Sequence, residues 1–284
     1  MTKRGLLAAV GAGLLEGCSP LRAFNAVAPR PLNVRRTSDV AYGPLPRQRL
    51  DIYRPSGIGP WPLLVFFYGG GWEDGSRKEY AFAGRAYAAR GFLTMVPDYR
   101  VTADAPYPAF LQDCARAVAW AQTHGAAYGA DPDRAVLAGH SAGAYNAAML
   151  AMDGRWLAEA GATRPIRGWA GLSGPYDFLP LTDGPARRTF GAVGDPASTQ
   201  PVRHASAGDP PAFLGWGDRD DVVMPRNSEQ LAARLKAAGV GVEARLYRGA
   251  GHAQTALALV WPFSAKLPVL RESAAFLHAA AERR

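Results

Sequence analysis

From about residue 40 to the C-terminus, short apolar runs alternate with longer stretches whose apolar residues recur every three or four positions. The run 62–68, Pro-Leu-Leu-Val-Phe-Phe-Tyr, has no polar break, as a strand covered on both faces requires. Further strands are expected at 92–96, 134–138, 168–172, 212–216 and 242–247, and helices at 78–90, 109–124, 142–153, 226–238 and 270–282. Before them, 40–42 and 48–53 read as an antiparallel pair about the turn Gly43-Pro44-Leu45-Pro46. Strand–helix alternation of this kind predicts an α/β fold, a mostly parallel, doubly wound sheet of about eight strands with flanking helices. In such a sheet functional residues gather just beyond the carboxyl ends of the strands.

Composition leaves this picture standing. The chain has 284 residues, 48% hydrophobic and 20% charged, which suits one globular domain with a large core. The net charge of +8 comes mostly from scattered arginines, with no run of like charge and no interleaved aromatics, so no nucleic-acid partner is expected. No metal-ligand spacing, dinucleotide loop or phosphate loop is present, so neither metal nor cofactor is expected.

The first residues change the expected location. Met1-Thr2-Lys3-Arg4 precedes an apolar stretch, 5–15, that is too short for a bilayer span of about 20 residues and resembles a signal peptide. Leu15-Glu16-Gly17-Cys18 resembles a bacterial lipobox, in which cleavage precedes a cysteine that receives lipid, although Glu16 departs from the usual small or aliphatic residue. The expected organisation is a lipoprotein-type signal over 1–17, a Pro/Ala/Arg-rich linker over 18–36 and a catalytic domain over 37–284. The protein is then exported, either tethered to a membrane through lipidated Cys18 or free in the periplasm or outside the cell; a cytoplasmic protein with an apolar tail is the remaining reading. The other cysteine, Cys114, falls in the helical stretch 109–124 and is expected to pack in the core.

Two motifs carry chemistry. Gly139-His140-Ser141-Ala142-Gly143 matches G-x-S-x-G and lies between a strand and a helix, the setting in which the serine is exposed as a nucleophile. Tyr68-Gly69-Gly70-Gly71-Trp72 follows the buried strand, and its glycines leave backbone N–H groups free to face an oxyanion. With Leu50-Asp51-Ile52-Tyr53-Arg54-Pro55, Pro97-Asp98-Tyr99-Arg100 and Asp131-Pro132-Asp133-Arg134, these motifs resemble the α/β-hydrolase esterases with an HGGG-type oxyanion loop, including hormone-sensitive-lipase-like carboxylesterases and arylformamidases. The resemblance spans roughly 37–284, and Tyr68 stands where that family usually has histidine. It implies an oxyanion hole from the N–H groups of Gly70, Gly71 and Ala142.

Five histidines are available as the base. His252, in a glycine-rich loop after the strand 242–247, fits the chain order Ser…Asp/Glu…His, with His204 as its rival. The acid comes from Asp218, Asp220 or Asp221, and the family spacing counted from Gly217 selects Asp220. Asp98 is expected to brace its loop through Arg100. Trp72 and Trp216 follow strands and are candidates to line the substrate pocket. The implied activity is hydrolysis of carboxylic esters, with short acyl chains favoured, through an acyl-enzyme. Arylformamide hydrolysis and a non-catalytic binding module are the alternatives. The stretch 175–210 sits where this fold often carries a lid.

Overall fold

A computed structural model describes residues 20–182 and 184–283; the expected signal segment and Cys18 lie outside the described residues. Eight strands form one sheet in the order β1-β2-β4-β3-β5-β6-β7-β8. They are β1 (Val34–Ala41), β2 (Arg49–Pro55), β3 (Trp61–Phe67), β4 (Leu93–Pro97), β5 (Ala130–His140), β6 (Trp169–Leu172), β7 (Ala212–Gly217) and β8 (Val242–Tyr247). Pairings β1–β2 and β2–β4 are antiparallel and all others parallel.

Topology fixes where the helices go. The crossover β3 to β4 through α2 (Ala81–Ala88) steps one way along the sheet. The crossovers through α3 (Ala109–His124), α4 (Ala142–Met152) and α7 (Arg226–Ala237) step the other way. Because such crossovers are right-handed, the two sets cover opposite faces. The last helix, α9 (Val269–Ala281), contacts α2 and completes the first layer. Between the layers, Leu63, Leu64, Phe66, Val136, Leu137 and Ala138 are buried, which is why their runs lack polar breaks. Cys114 is buried in α3, where burial raises its thiol pKa well above the ordinary value.

The N-terminal part differs from expectation. Within the stretch read as a linker, α1 (Pro20–Val27) forms and β1 begins at Val34. Phe24 sets its ring edge-on to Phe82, centroids 5.2 Å apart, and Asn25 bonds Lys78 and Arg85 of the α2 region. Long-range contacts, not periodicity, hold this segment. Strand β1 is mostly exposed, so it offers no alternation to read, and its register breaks between Thr37 and Val40.

Candidate active site

The strands β3, β5, β6, β7 and β8 run parallel and adjacent, so their carboxyl ends share one edge of the sheet. Gly69-Gly70-Gly71 leaves β3, Ser141 leaves β5, Asp220 follows β7 and His252 follows β8. Ser141 joins β5 to α4 at φ 55° and ψ −125°, a strained backbone for a side-chain-bearing residue. The flanking glycines are there for space. A Cβ on Gly143 would stand 2.1 Å from the Phe67 carbonyl oxygen, and one on Gly139 2.2 Å from that of Gly143.

His252 opens α8 (His252–Leu257), and its Nε2 lies 2.9 Å from Ser141 Oγ. Its Nδ1 lies 3.0 and 3.1 Å from the two oxygens of Asp220. A carboxylate only accepts, so Nδ1 carries the proton and Nε2 is left to accept from the serine hydroxyl. The Asp220 carboxylate also accepts from the N–H of Val222 at 3.1 Å and of Val223 at 2.8 Å. Burial pushes its carboxyl up, but the hydrogen bond and charge of His252, with the Val223 N–H and the Ser173 hydroxyl, outweigh this and lower its pKa.

The other candidates are placed elsewhere. Asp218 accepts from the Gly249 N–H at 2.6 Å and braces the turn after β8, and Asp221 is exposed. His204 bonds the Ser198 carbonyl at 2.8 Å, away from the serine. Asp98 braces its loop through Arg77, whose N–H it accepts at 2.6 Å, and not through Arg100. Arg100 pairs instead with Asp113 at 2.8 Å.

At Gly70 the chain has φ 142°, and a Cβ would stand 2.2 Å from the Asp74 carbonyl oxygen. Among the described residues no protein acceptor takes the N–H of Gly70 or Gly71, and Ala142 N begins α4, where the first turn has no intrahelical acceptor. Tyr68, standing where the resembling family has histidine, stacks on Tyr99 with centroids 4.4 Å apart. Arg47 ties the same loop down by donating to the carbonyls of Tyr99 and Gly75, both at 2.9 Å.

Two cavities flank Ser141. One, of about 400 Å³, is mainly apolar and lined by Trp72, Phe178, Pro185, Val223 and Met224. Trp72 reaches Asn146 with its indole N–H at 3.3 Å and packs edge-on against Phe190. Trp216 is buried and lines neither cavity. The other cavity, about 330 Å³, is lined by the glycine loop, Asp74, Glu79, Tyr80, His140 and His252. The stretch 175–210 carries α6 (Gly184–Phe190), lines the apolar cavity with Pro175, Phe178, Pro185 and Ala186, and packs Phe178 against the buried Phe190, 5.4 Å apart.

Sequence reasoning missed two polar residues that touch the constellation. Ser173, buried at φ 49° beyond β6, has its hydroxyl oxygen 3.0 Å from that of Thr255 and helps to hold the Asp220 pKa down. Tyr80 bonds His140 at 2.8 Å. No local motif marks either, because both act through partners distant in the chain.

A family model described as BD-FAE matches residues 50–183. A probable isoprenylcysteine alpha-carbonyl methylesterase of Arabidopsis thaliana is 30% identical over 244 residues, covering 77% of this chain and 51% of that protein. Esterase LipC of Mycobacterium tuberculosis is 29% identical over 237 residues, covering 75% and 58%. The chain thus spans about half the length of the curated relatives it matches. Among solved structures, esterase B from Lactobacillus rhamnosis superposes with a TM-score of 0.81 over 98% of this chain and 96% of its own, at 22% identity.

Proposed function

We propose that the chain, which has the α/β-hydrolase fold of the esterase structures it superposes on, hydrolyses carboxylic esters with Ser141 as nucleophile, His252 as general base and Asp220 as the acid that orients it. The observation that carries the proposal is the continuous hydrogen-bonded line from Ser141 Oγ through His252 to Asp220, with cavities on both sides of the serine.

His252 Nε2 takes the hydroxyl proton as Oγ attacks the ester carbonyl. The carbonyl oxygen becomes an anion held by the N–H groups of Gly70, Gly71 and Ala142. The C–O bond to the alcohol breaks, and the imidazolium gives its proton to the departing oxygen. Water then attacks the acyl-enzyme, loses a proton to His252, and the carboxylic acid leaves as Ser141 regains its hydrogen. Asp220 keeps its charge throughout and stabilises the imidazolium.

The cavity volumes divide the substrate. The apolar cavity, with Trp72 and Phe178 in its wall, takes a short acyl group. The cavity containing His252 takes the alcohol, because that ring protonates it. Asp74 and Glu79 in its wall favour an alcohol with further hydroxyl groups.

The test is hydrolysis of p-nitrophenyl esters from acetate to palmitate by the protein and by Ser141→Ala. Activity that peaks on short chains and vanishes in the variant supports the reading. Activity on aryl formamides alone moves it to amide hydrolysis, and none on either class overturns it. Export, and lipid attachment at Cys18, rest on the N-terminal pattern 1–18. Radiolabelled palmitate incorporated into the protein but not into Cys18→Ser supports the tether, and equal labelling of both removes it.

A further inference from the structure

His140 precedes the nucleophile and is buried, yet neither step of the reaction above uses it. Its Nε2 lies 3.2 Å from the carbonyl oxygen of His252, and its Nδ1 lies 2.8 Å from the hydroxyl of Tyr80. A carbonyl only accepts, so Nε2 carries the hydrogen. In a neutral ring Nδ1 is then an acceptor, and the Tyr80 hydroxyl donates to it. The Tyr80 hydroxyl is seated against Gly69, the first glycine of the oxyanion loop, where an added Cβ would stand 3.1 Å from it. The order is Tyr80 O–H to His140 Nδ1, then His140 Nε2–H to His252 C=O, with the Tyr80 end held against Gly69.

We propose that His140 and Tyr80 are positioning residues for the ester hydrolysis, fixing the backbone of the general base His252 relative to the oxyanion loop. The proposal rests on the reading of His252 as the base.

Three features support it. The chain of contacts joins the two halves of the machinery that must keep a fixed distance, the loop after β3 and the histidine after β8. It is directional, because the His252 carbonyl can only accept, which fixes Nε2 as donor and Nδ1 as acceptor. It is also uncharged: burial, followed by the nearby His252 ring, holds the His140 pKa down at about 3. The two imidazole centroids are only 4.9 Å apart, so a cationic His140 would oppose the imidazolium that forms on His252 during turnover. A second donor, the Thr255 hydroxyl at 2.9 Å, reaches the same carbonyl, so loss of His140 loosens His252 without freeing it.

The experiment measures kcat and KM for p-nitrophenyl butyrate with His140→Ala, His140→Gln and Tyr80→Phe, beside His252→Ala, with thermal unfolding of each. Glutamine places an N–H where Nε2 stood. His140→Ala is expected to lower kcat about 10-fold or more with KM within about two-fold, since misplacing a base by a fraction of an ångström acts on the reacting geometry and not on ground-state binding. His140→Gln is expected to recover at least about a third of wild-type kcat, and Tyr80→Phe to lose about five-fold, one hydrogen bond's worth. A His140→Ala kcat within about two-fold of wild type, a loss confined to KM, or glutamine no better than alanine would each overturn the proposal. If the alanine variant does not fold, the near-isosteric glutamine and phenylalanine variants decide: full kcat in both overturns it. Activity surviving in His252→Ala would instead remove the assignment of the base.

Discussion

Tyr99 lies flat against Tyr68, ring planes 16° from parallel, and its hydroxyl donates to the Tyr68 carbonyl at 2.7 Å. That carbonyl sits where β3 gives way to the three glycines, so a residue on the neighbouring strand end anchors the oxyanion loop. Tyr99→Phe keeps the stack and removes the hydrogen bond. It is expected to cost about 1 kcal/mol of stability and to lower kcat/KM a few-fold, mostly through kcat. Denaturant unfolding and steady-state kinetics on p-nitrophenyl butyrate check both.

Gly70 is the loop position least able to carry a side chain. Its φ of 142° and the 2.2 Å approach to the Asp74 carbonyl leave a Cβ no room, so Gly70→Ala must displace the loop. Turnover is expected to fall about 10²-fold or more, the usual cost of one oxyanion donor, with a smaller change in KM because only Gly71 and Trp72 of that loop line the acyl cavity. A variant with kcat close to wild type would show that the Gly70 N–H is not a donor to the reaction.

The buried Arg77 joins three strand ends. Its side chain pairs with Asp98 and Asp39 and reaches Asp51 at 3.2 Å, and its N–H binds Asp98. Arg77→Met leaves Asp98 buried with its main counter-charge gone and Asp51 with Arg36 alone. The expected loss is about 3–5 kcal/mol, measured by denaturant unfolding. A loss below about 1 kcal/mol would mean that Arg36, 2.7 Å from Asp51, suffices.

Acid should destabilise the fold through His140. Its pKa falls from 6.5 when unfolded to about 3 when folded, because burial excludes the charged form. Between those values the unfolded chain binds a proton that the folded one does not, so stability is complete above about pH 6.5 and declines as pH falls. The slope approaches about 1.4 kcal/mol per pH unit and is absent from His140→Gln. Asp220, whose folded pKa is lowered, adds its own loss only below about pH 4. Unfolding free energies of the two proteins between pH 4.5 and 6.5 therefore isolate the histidine, and parallel curves would contradict it.

What could be read in the chain follows the range of each interaction. Strands β3, β4, β6, β7 and β8 announce themselves because burial on both faces, or alternation at the edge, leaves a local pattern. Ser141, Asp220 and His252 are legible because each occupies a turn whose local residues are constrained by the chemistry proposed for it. Helix α1 and the start of β1 are not, since Phe24 and Asn25 are held by residues more than fifty positions away. The same reason hides Tyr80 and Ser173, and the partner of Asp98, Arg77, lies 21 positions upstream with no motif joining the two. Trp216 shows the opposite failure: a strand-end position suggested a pocket wall, but its side chain turns into the core.

The central claim is that Ser141 is a nucleophile activated by His252. Its most direct test is incubation of the protein, Ser141→Ala and His252→Ala with a p-nitrophenyl alkylphosphonate ester, followed by peptide mass spectrometry. The account predicts one phosphonyl group, attached to the peptide containing Ser141, with loss of esterase activity in step with labelling; Ser141→Ala takes up none, and His252→Ala reacts at least about 10²-fold more slowly. Labelling at another residue, or equal rates in the wild type and His252→Ala, would contradict it.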